Sequence, residues 1–165
     1  MLGASDCEQM GSGWLVQPVN AVSSLAFLPA GAWVAARSQH LTGWRRWEGL
    51  GVGAALIANG FGSFAYHGPQ PPWAKLVHDG PIVAVVALLA VNEVGRRTDP
   101  IEGRTTRREH RVALVAGAGA LVAYGLGRTG SPACRPESLL QWHAVWHVLA
   151  AVALASAAEA RIERD

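Results

Sequence analysis

The chain has 165 residues, half of them apolar and only 16% charged, with a formal net charge of +2. That length fits a single domain covering 1–165, large enough to enclose a core and too short for two substantial units. The charged share lies well below the quarter or so usual in soluble domains, which argues against an ordinary water-soluble globule.

Read in chain order, five stretches contain no Asp, Glu, Lys or Arg: Glu8 to Arg37, Glu48 to Lys75, Asp79 to Glu93, Arg111 to Arg128, and Glu137 to Glu159. A bilayer core about 30 Å thick needs about 20 helical residues. The intervals predict spans near 18–36, 49–66, 76–94, 111–127 and 139–158, the third and fourth resting on the shortest runs. A soluble bundle of apolar helices is the alternative. Each of its helices would need a charged face towards water, and these stretches have none. The expected fold class is therefore all-α, an integral membrane helical bundle of about five transmembrane helices.

The first span carries Asn20, Ser23 and Ser24, polar groups expected to form hydrogen bonds between helices or to line a pocket. The second contains Asn59 and ends "NGFGSFAYHGPQPPW", where Ser63 and His67 share a helical face and the following Gly68 and three prolines stop the helix. The third opens with His78 and Asp79. The fourth contributes small residues four apart, Ala113 with Gly117, as Gly49 with Gly53 does in the second. Such pairs let helices approach closely in lipid and leave a homo-oligomer open. The fifth carries "LLQWHAVWHVLAA", in which His143 and His147 stand one turn apart on one face. Taken alone, that pair is more often two buried histidines bonded to neighbours or water. Most of the seven tryptophans fall near span ends, as an interfacial belt requires.

Basic residues fix the expected orientation. Arg37, Arg45 and Arg46 follow the first span, Arg96, Arg97, Arg104, Arg107, Arg108 and Arg111 follow the third, and Arg161 and Arg164 lie in the tail, eleven of the fourteen Lys and Arg in all. Basic loops stay on the cytoplasmic side. The N-terminus is thus expected outside and the C-terminus in the cytoplasm. Topology accounts for the arginine run without a nucleic-acid partner. No basic segment precedes the first apolar run, so no cleavable signal peptide is expected. The Ala, Gly and Arg bias suits a bacterial inner membrane. Cys7 and Cys134 both fall on the outer, oxidising side, where a disulfide can persist.

In this topology Ser63, His67, Asp79, His143 and His147 come to similar depth on three helices. Ionisable groups inside a bilayer cost roughly 2.5 to 3.5 kcal/mol each when charged at a helix centre, and they usually face the bundle interior. Three neutral imidazoles and a water form the open tetrahedral set of catalytic zinc, which lowers the pKa of that water to about 7.

The ordered set resembles the alkaline ceramidases and their wider transmembrane-hydrolase superfamily, which includes the adiponectin-receptor-like proteins. Ser63 and His67 stand as SxxxH, Asp79 follows, and the final helix carries HxxxH behind Trp142. The opening "DCEQM…QPVNAVSSLAFLPAG" is similar to the start of those proteins, with Cys7, Glu8, Asn20 and Ser24 matching. The resemblance implies that His67, His143 and His147 bind zinc, that Asp79 orients the zinc water and acts as general base, and that Ser63 stabilises that water or the developing oxyanion. It implies a disulfide between Cys7 and Cys134. The implied reaction is hydrolysis of the amide of a ceramide-like or other N-acyl lipid, giving a fatty acid and an amine. His78, about 100° away from Asp79 on its helix, is left outside the first set of groups.

Two departures stand out. The ceramidases have seven spans, so some of the wall of a lipid pocket is missing here, which points to a smaller substrate or to a wall supplied by a second subunit or lipid. They also bind calcium through an acidic N-terminal segment; Glu8 with Ser5, Asp6, Gln9, Met10 and Gln17 offers too few carboxylates, and no tight calcium site is expected. The alternative function is a receptor-like or structural membrane protein in which zinc staples helices without turnover.

Overall fold

The computed structural model describes residues 2–96 and 106–162. Among them the named elements are all α-helices: α1 (Pro18–Ser24), α2 (Phe27–Ser38), α3 (Gly43–His67), α4 (Ala74–Arg96), α5 (Thr106–Leu126) and α6 (Trp142–Ile162). Leu25 and Ala26 keep right-handed helical dihedrals, so α1 and α2 form one nearly continuous rod. Pro18 opens it at a position where the missing N–H costs nothing. The carboxylate of Glu8, from outside the helix, accepts hydrogen bonds from the free N–H groups of Val19 and Asn20 at 2.7 and 2.8 Å. That carboxylate is committed to a helix terminus.

Pro18–Ser38 and Trp142–Ile162, 21 residues each, are long and apolar enough to cross a membrane. The sequence predicts five such spans. α3 and α5 have the length, at 25 and 21 residues, but α3 dilutes its apolar run with glycines, Asn59 and His67, and α5 opens on Arg107, Arg108, Glu109 and Arg111, which leaves its apolar run short. The third predicted span runs into residues 90–96, whose side chains lie outside the described ones. So do Arg97, Arg104 and Arg164 of the basic clusters. The last helix begins at Trp142, three residues later than predicted. Leu139 and Leu140 precede it, exposed, because Gln141 turns back and donates to the carbonyls of Ser138 and Arg135 at 2.6 and 3.0 Å.

The helices form a row, α5–α6–α2–α3–α4, that bends until α3 and α4 touch α6. α2 and α3 cross where Gly31 meets Gly53, a separation at which a Cβ on either would strike the other's carbonyl oxygen. Gly49 and Gly53 are therefore used inside the chain, against α2. An apolar core of Phe27, Val34, Val52, Leu56, Val85 and Ala151 fills one half of the bundle. The other half is polar within. Asn20, Asn59, Ser63, His67, His143 and His147 are all buried, while large apolar side chains such as Val83, Val86, Leu114, Val115 and Leu121 lie on the outside.

The segment before α1 closes the polar end. Its backbone donates from Cys7 to Gly127 (2.8 Å), from Gln9 to Pro136 (2.9 Å) and from Gln17 to His67 (2.8 Å). Cys7 is disulfide-bonded to Cys134, with Cα atoms 5.4 Å apart. One strap thus joins the end of α3 to the α5–α6 loop.

Candidate metal centre

His67 is the last residue of α3, and His143 and His147 occupy the first two turns of α6. The four-residue spacing puts the α6 pair on one face. The Gly–Pro stop after His67 ends α3 at the same level. The three rings close into a triangle with centroids 5.0 Å (His67–His143), 5.3 Å (His67–His147) and 4.7 Å (His143–His147) apart. One ligand atom from each lies within 4.8 Å of the others, and all three side chains are buried. Among the described residues this is the group of such donors able to hold a metal ion.

The hydrogen bonds around the rings assign their protons. Gln17 donates its side-chain N–H to the carbonyls of Gly3 and Glu8, both at 3.1 Å, so its Oε1 must be the atom that faces His67 Nδ1, at 2.8 Å. That oxygen only accepts, and Nδ1 therefore carries the hydrogen. Ser23 Oγ donates to the carbonyl of Asn20 at 3.0 Å, which leaves it to accept from His147 Nδ1–H at 2.9 Å. Asp6 Oδ1 stands 3.4 Å from His143 Nδ1, close enough to attract an N–H there but longer than a formed hydrogen bond. In His67 and His147 Nε2 is left with the lone pair, and in His143, where neither ring nitrogen has a hydrogen-bond partner, the nearby Asp6 carboxylate favours the same tautomer. His67 and His143 have no hydrogen-bond partner on Nε2, and His147 has only Ser63 Oγ, at 3.3 Å.

A buried, unpartnered imidazole lone pair is costly in an apolar interior, and a cation removes the cost. Three neutral nitrogen donors fit a borderline ion of the zinc type. In a tetrahedral site with metal–nitrogen bonds near 2.0–2.1 Å, neighbouring donors are about 3.3 Å apart, so closing around an ion asks only for small ring movements.

Ser63 stands on α3 one turn before His67 and reaches Nε2 of His147. Asp79 does not join the triad. Its carboxylate is about half exposed, accepts from Lys75 Nζ at 2.6 Å and from His78 Nδ1 at 2.7 Å. The link to the triad is His78, whose ring centroid is 5.9 Å from that of His67 and whose buried Nε2 has no partner. Adjacent residues on a helix diverge, yet the short Asp79 side chain folds back on its neighbour. Tyr66 stacks on His78 with centroids 4.3 Å apart. Trp146 packs against His143 and His147 at 5.1 and 5.0 Å and against Tyr124 at 5.6 Å, an aromatic wall on the α5 side.

In the segment before α1, burial pushes the Asp6 carboxyl up to about 6, against the pull of Arg128, whose guanidinium donates to it at 2.8 Å. Burial also raises Glu8, offset by its two backbone N–H donors. Ser23 makes the interhelical bond expected of the span-one polar residues. Asn20 makes none with its side-chain amide, and Asn59 Oδ1 is also without a partner. Asp6, Gln17 and Ser23 as partners of the triad, and His78 as the bridge to Asp79, are not signalled by any motif, since the first three reach the histidines from far along the chain.

No protein-family model matches the chain, and no curated protein or solved structure matches it.

Proposed function

We propose that this is a multi-pass membrane protein of about five spans, suited to a bacterial inner membrane, that holds one zinc ion on His67, His143 and His147 and hydrolyses the amide bond of a ceramide-like or other N-acyl lipid. The observation that carries the reading is the convergence of three buried imidazoles with one ligand nitrogen from each within 4.8 Å of the others, and with Nε2 of His67 and of His143 without a partner. The membrane part is supported by the inverted distribution of polarity, with amides and imidazoles inside and valine and leucine outside, as lipid favours and water does not.

Zinc bound there would polarise a carbonyl and make a water acidic enough to attack near neutral pH. The chain's own groups supply the rest. Ser63 Oγ, at the Nε2 edge of His147, is placed to donate a hydrogen bond to the charge that develops on the amide oxygen. His78, held by Asp79, is placed to take the proton of the attacking water and pass it to the leaving nitrogen. Trp146 and Tyr124 shield the triad from bulk water.

One observation favours a second reading, a zinc staple between helices without turnover: Asp79 is paired with Lys75 and set back from the ligand atoms. The test is elemental analysis of the purified protein with a screen for fatty acid released from a panel of N-acyl lipids. Stoichiometric zinc, lost with turnover in His67→Ala and His143→Ala, is the expected result. Zinc retained in those variants rejects the ligand set, and zinc without any hydrolysis by the wild type selects the staple.

A further inference from the structure

The three triad histidines share a feature that spacing on α3 and α6 does not require: each has its Nδ1 addressed by a different residue of the first 23. Gln17 holds His67 at 2.8 Å, Ser23 holds His147 at 2.9 Å, and Asp6 stands 3.4 Å from His143. The three partners are unlike one another, an amide, a hydroxyl and a carboxylate, but each presents an oxygen that accepts. Their own bonds make that role obligatory. Gln17 uses its N–H group on backbone carbonyls, Ser23 uses its hydroxyl hydrogen on Asn20, and Asp6 has none to give when ionised.

We infer that the N-terminal strap and the helix it leads into form the outer shell of the metal centre, with Asp6 and Gln17 from the strap and Ser23 from α1 as positioning residues that keep hydrogen on Nδ1 and so aim all three Nε2 atoms at one point. Metal-bound histidines regularly donate their second ring N–H to such an acceptor, which fixes tautomer and ring orientation together. The strap is rigid enough for the task. The disulfide pins Cys7, next to Asp6, and Arg128 holds the Asp6 carboxylate at 2.8 Å. Gly3 has no Cβ, and one there would collide with Gln17 Oε1, so the backbone comes down directly on the Gln17–His67 bond. The inference rests on the metal reading above and adds that residues far from the ligands in sequence set the affinity.

The experiment measures zinc affinity of the full chain in detergent micelles by competition with a chromophoric chelator, and records the visible spectrum of the cobalt-loaded form. Ser23→Ala, Gln17→Leu and Asp6→Asn are each expected to weaken affinity, the first two by roughly 10- to 100-fold. Ser23→Thr keeps the hydroxyl and is expected to restore wild-type affinity and the wild-type cobalt spectrum. If Gln17→Leu fails to fold, because its amide also ties three backbone carbonyls, the Ser23 pair decides. A wild type that takes up no zinc overturns the metal reading itself. Zinc that His67→Ala abolishes but Ser23→Ala leaves within twofold overturns the outer shell alone, as does a loss that Ser23→Thr does not restore.

Discussion

Ser63 and His147 meet across the α3–α6 contact, hydroxyl oxygen to Nε2, at 3.3 Å, while Ser23 holds the opposite nitrogen of the same ring at 2.9 Å. The two serines have opposite roles. Ser23 accepts, so the ring's hydrogen is on Nδ1. Ser63 must then donate to the Nε2 lone pair, and a cation taking that lone pair would release the hydroxyl beside it.

Ser63→Ala is therefore expected to spare zinc content and remove chemistry. Loss of one aligned donor to a developing oxyanion typically lowers turnover by about 100-fold or more. Turnover on the best N-acyl lipid, with zinc measured on the same sample, checks this. A variant that loses zinc and activity together would make Ser63 part of the ligand support instead.

Asp79 and His78 are expected to act as one unit. Asp79→Asn should keep zinc and lower turnover by about 100- to 10,000-fold, the usual weight of general acid–base catalysis. His78→Ala should do the same, and the double variant should be no slower than the slower single one, because residues that act through each other are not additive. Additive losses would show two independent roles. Asp79→Asn with full activity would remove the pair from the reaction.

The triad was legible from the sequence because helical geometry is local. His143 and His147 lie four apart, His67 sits beside the strongest stop signal in the chain, and depth in a bundle follows from span boundaries. The outer shell was not. The Gln17–His67 and Ser23–His147 contacts bridge 50 and 124 residues, and Gln17 precedes a helix in a segment with no periodicity. The partners of Asp79 were not legible for a related reason. Its spacing placed it at the right depth, but its carboxylate partners were chosen by side-chain reach, towards Lys75 one turn away and His78 beside it. The helix boundaries followed charge well, while glycine-rich α3 shows how weak a hydropathy signal a close-packed helix can give.

The Cys7–Cys134 bond closes a loop of 127 residues and anchors the strap. Disulfides typically contribute 2 to 4 kcal/mol, chiefly by restricting the unfolded chain. Cys7→Ser is expected to lower the apparent melting temperature in micelles and, because Asp6 and Glu8 flank the bond, to weaken zinc binding in parallel. Thermal scans of the zinc-loaded and chelator-treated forms separate the two effects. Reduction that lowers both curves equally would mean the bond stabilises the fold without holding the metal centre.

Gly62 carries the α3–α4 crossing. Pro81 lies inside α4 and has no N–H, so the carbonyl of Val77, four residues earlier, lacks its helical donor. That carbonyl lies against Gly62, where a Cβ would overlap both its oxygen and its carbon. Backbone cannot step aside as a flexible side chain does, so Gly62→Ala must push α4 away from α3. Overpacking of this kind costs about 1 to 3 kcal/mol. The displaced residues are Val77 and its neighbours His78 and Asp79, whereas His67, His143 and His147 belong to α3 and α6. Gly62→Ala is thus expected to keep zinc affinity within a few-fold of wild type, lower the melting temperature, and reduce turnover as severely as His78→Ala. Turnover that survives the shift would mean His78 and Asp79 need not sit against α3 for the reaction, and the proton-transfer role would pass to another group.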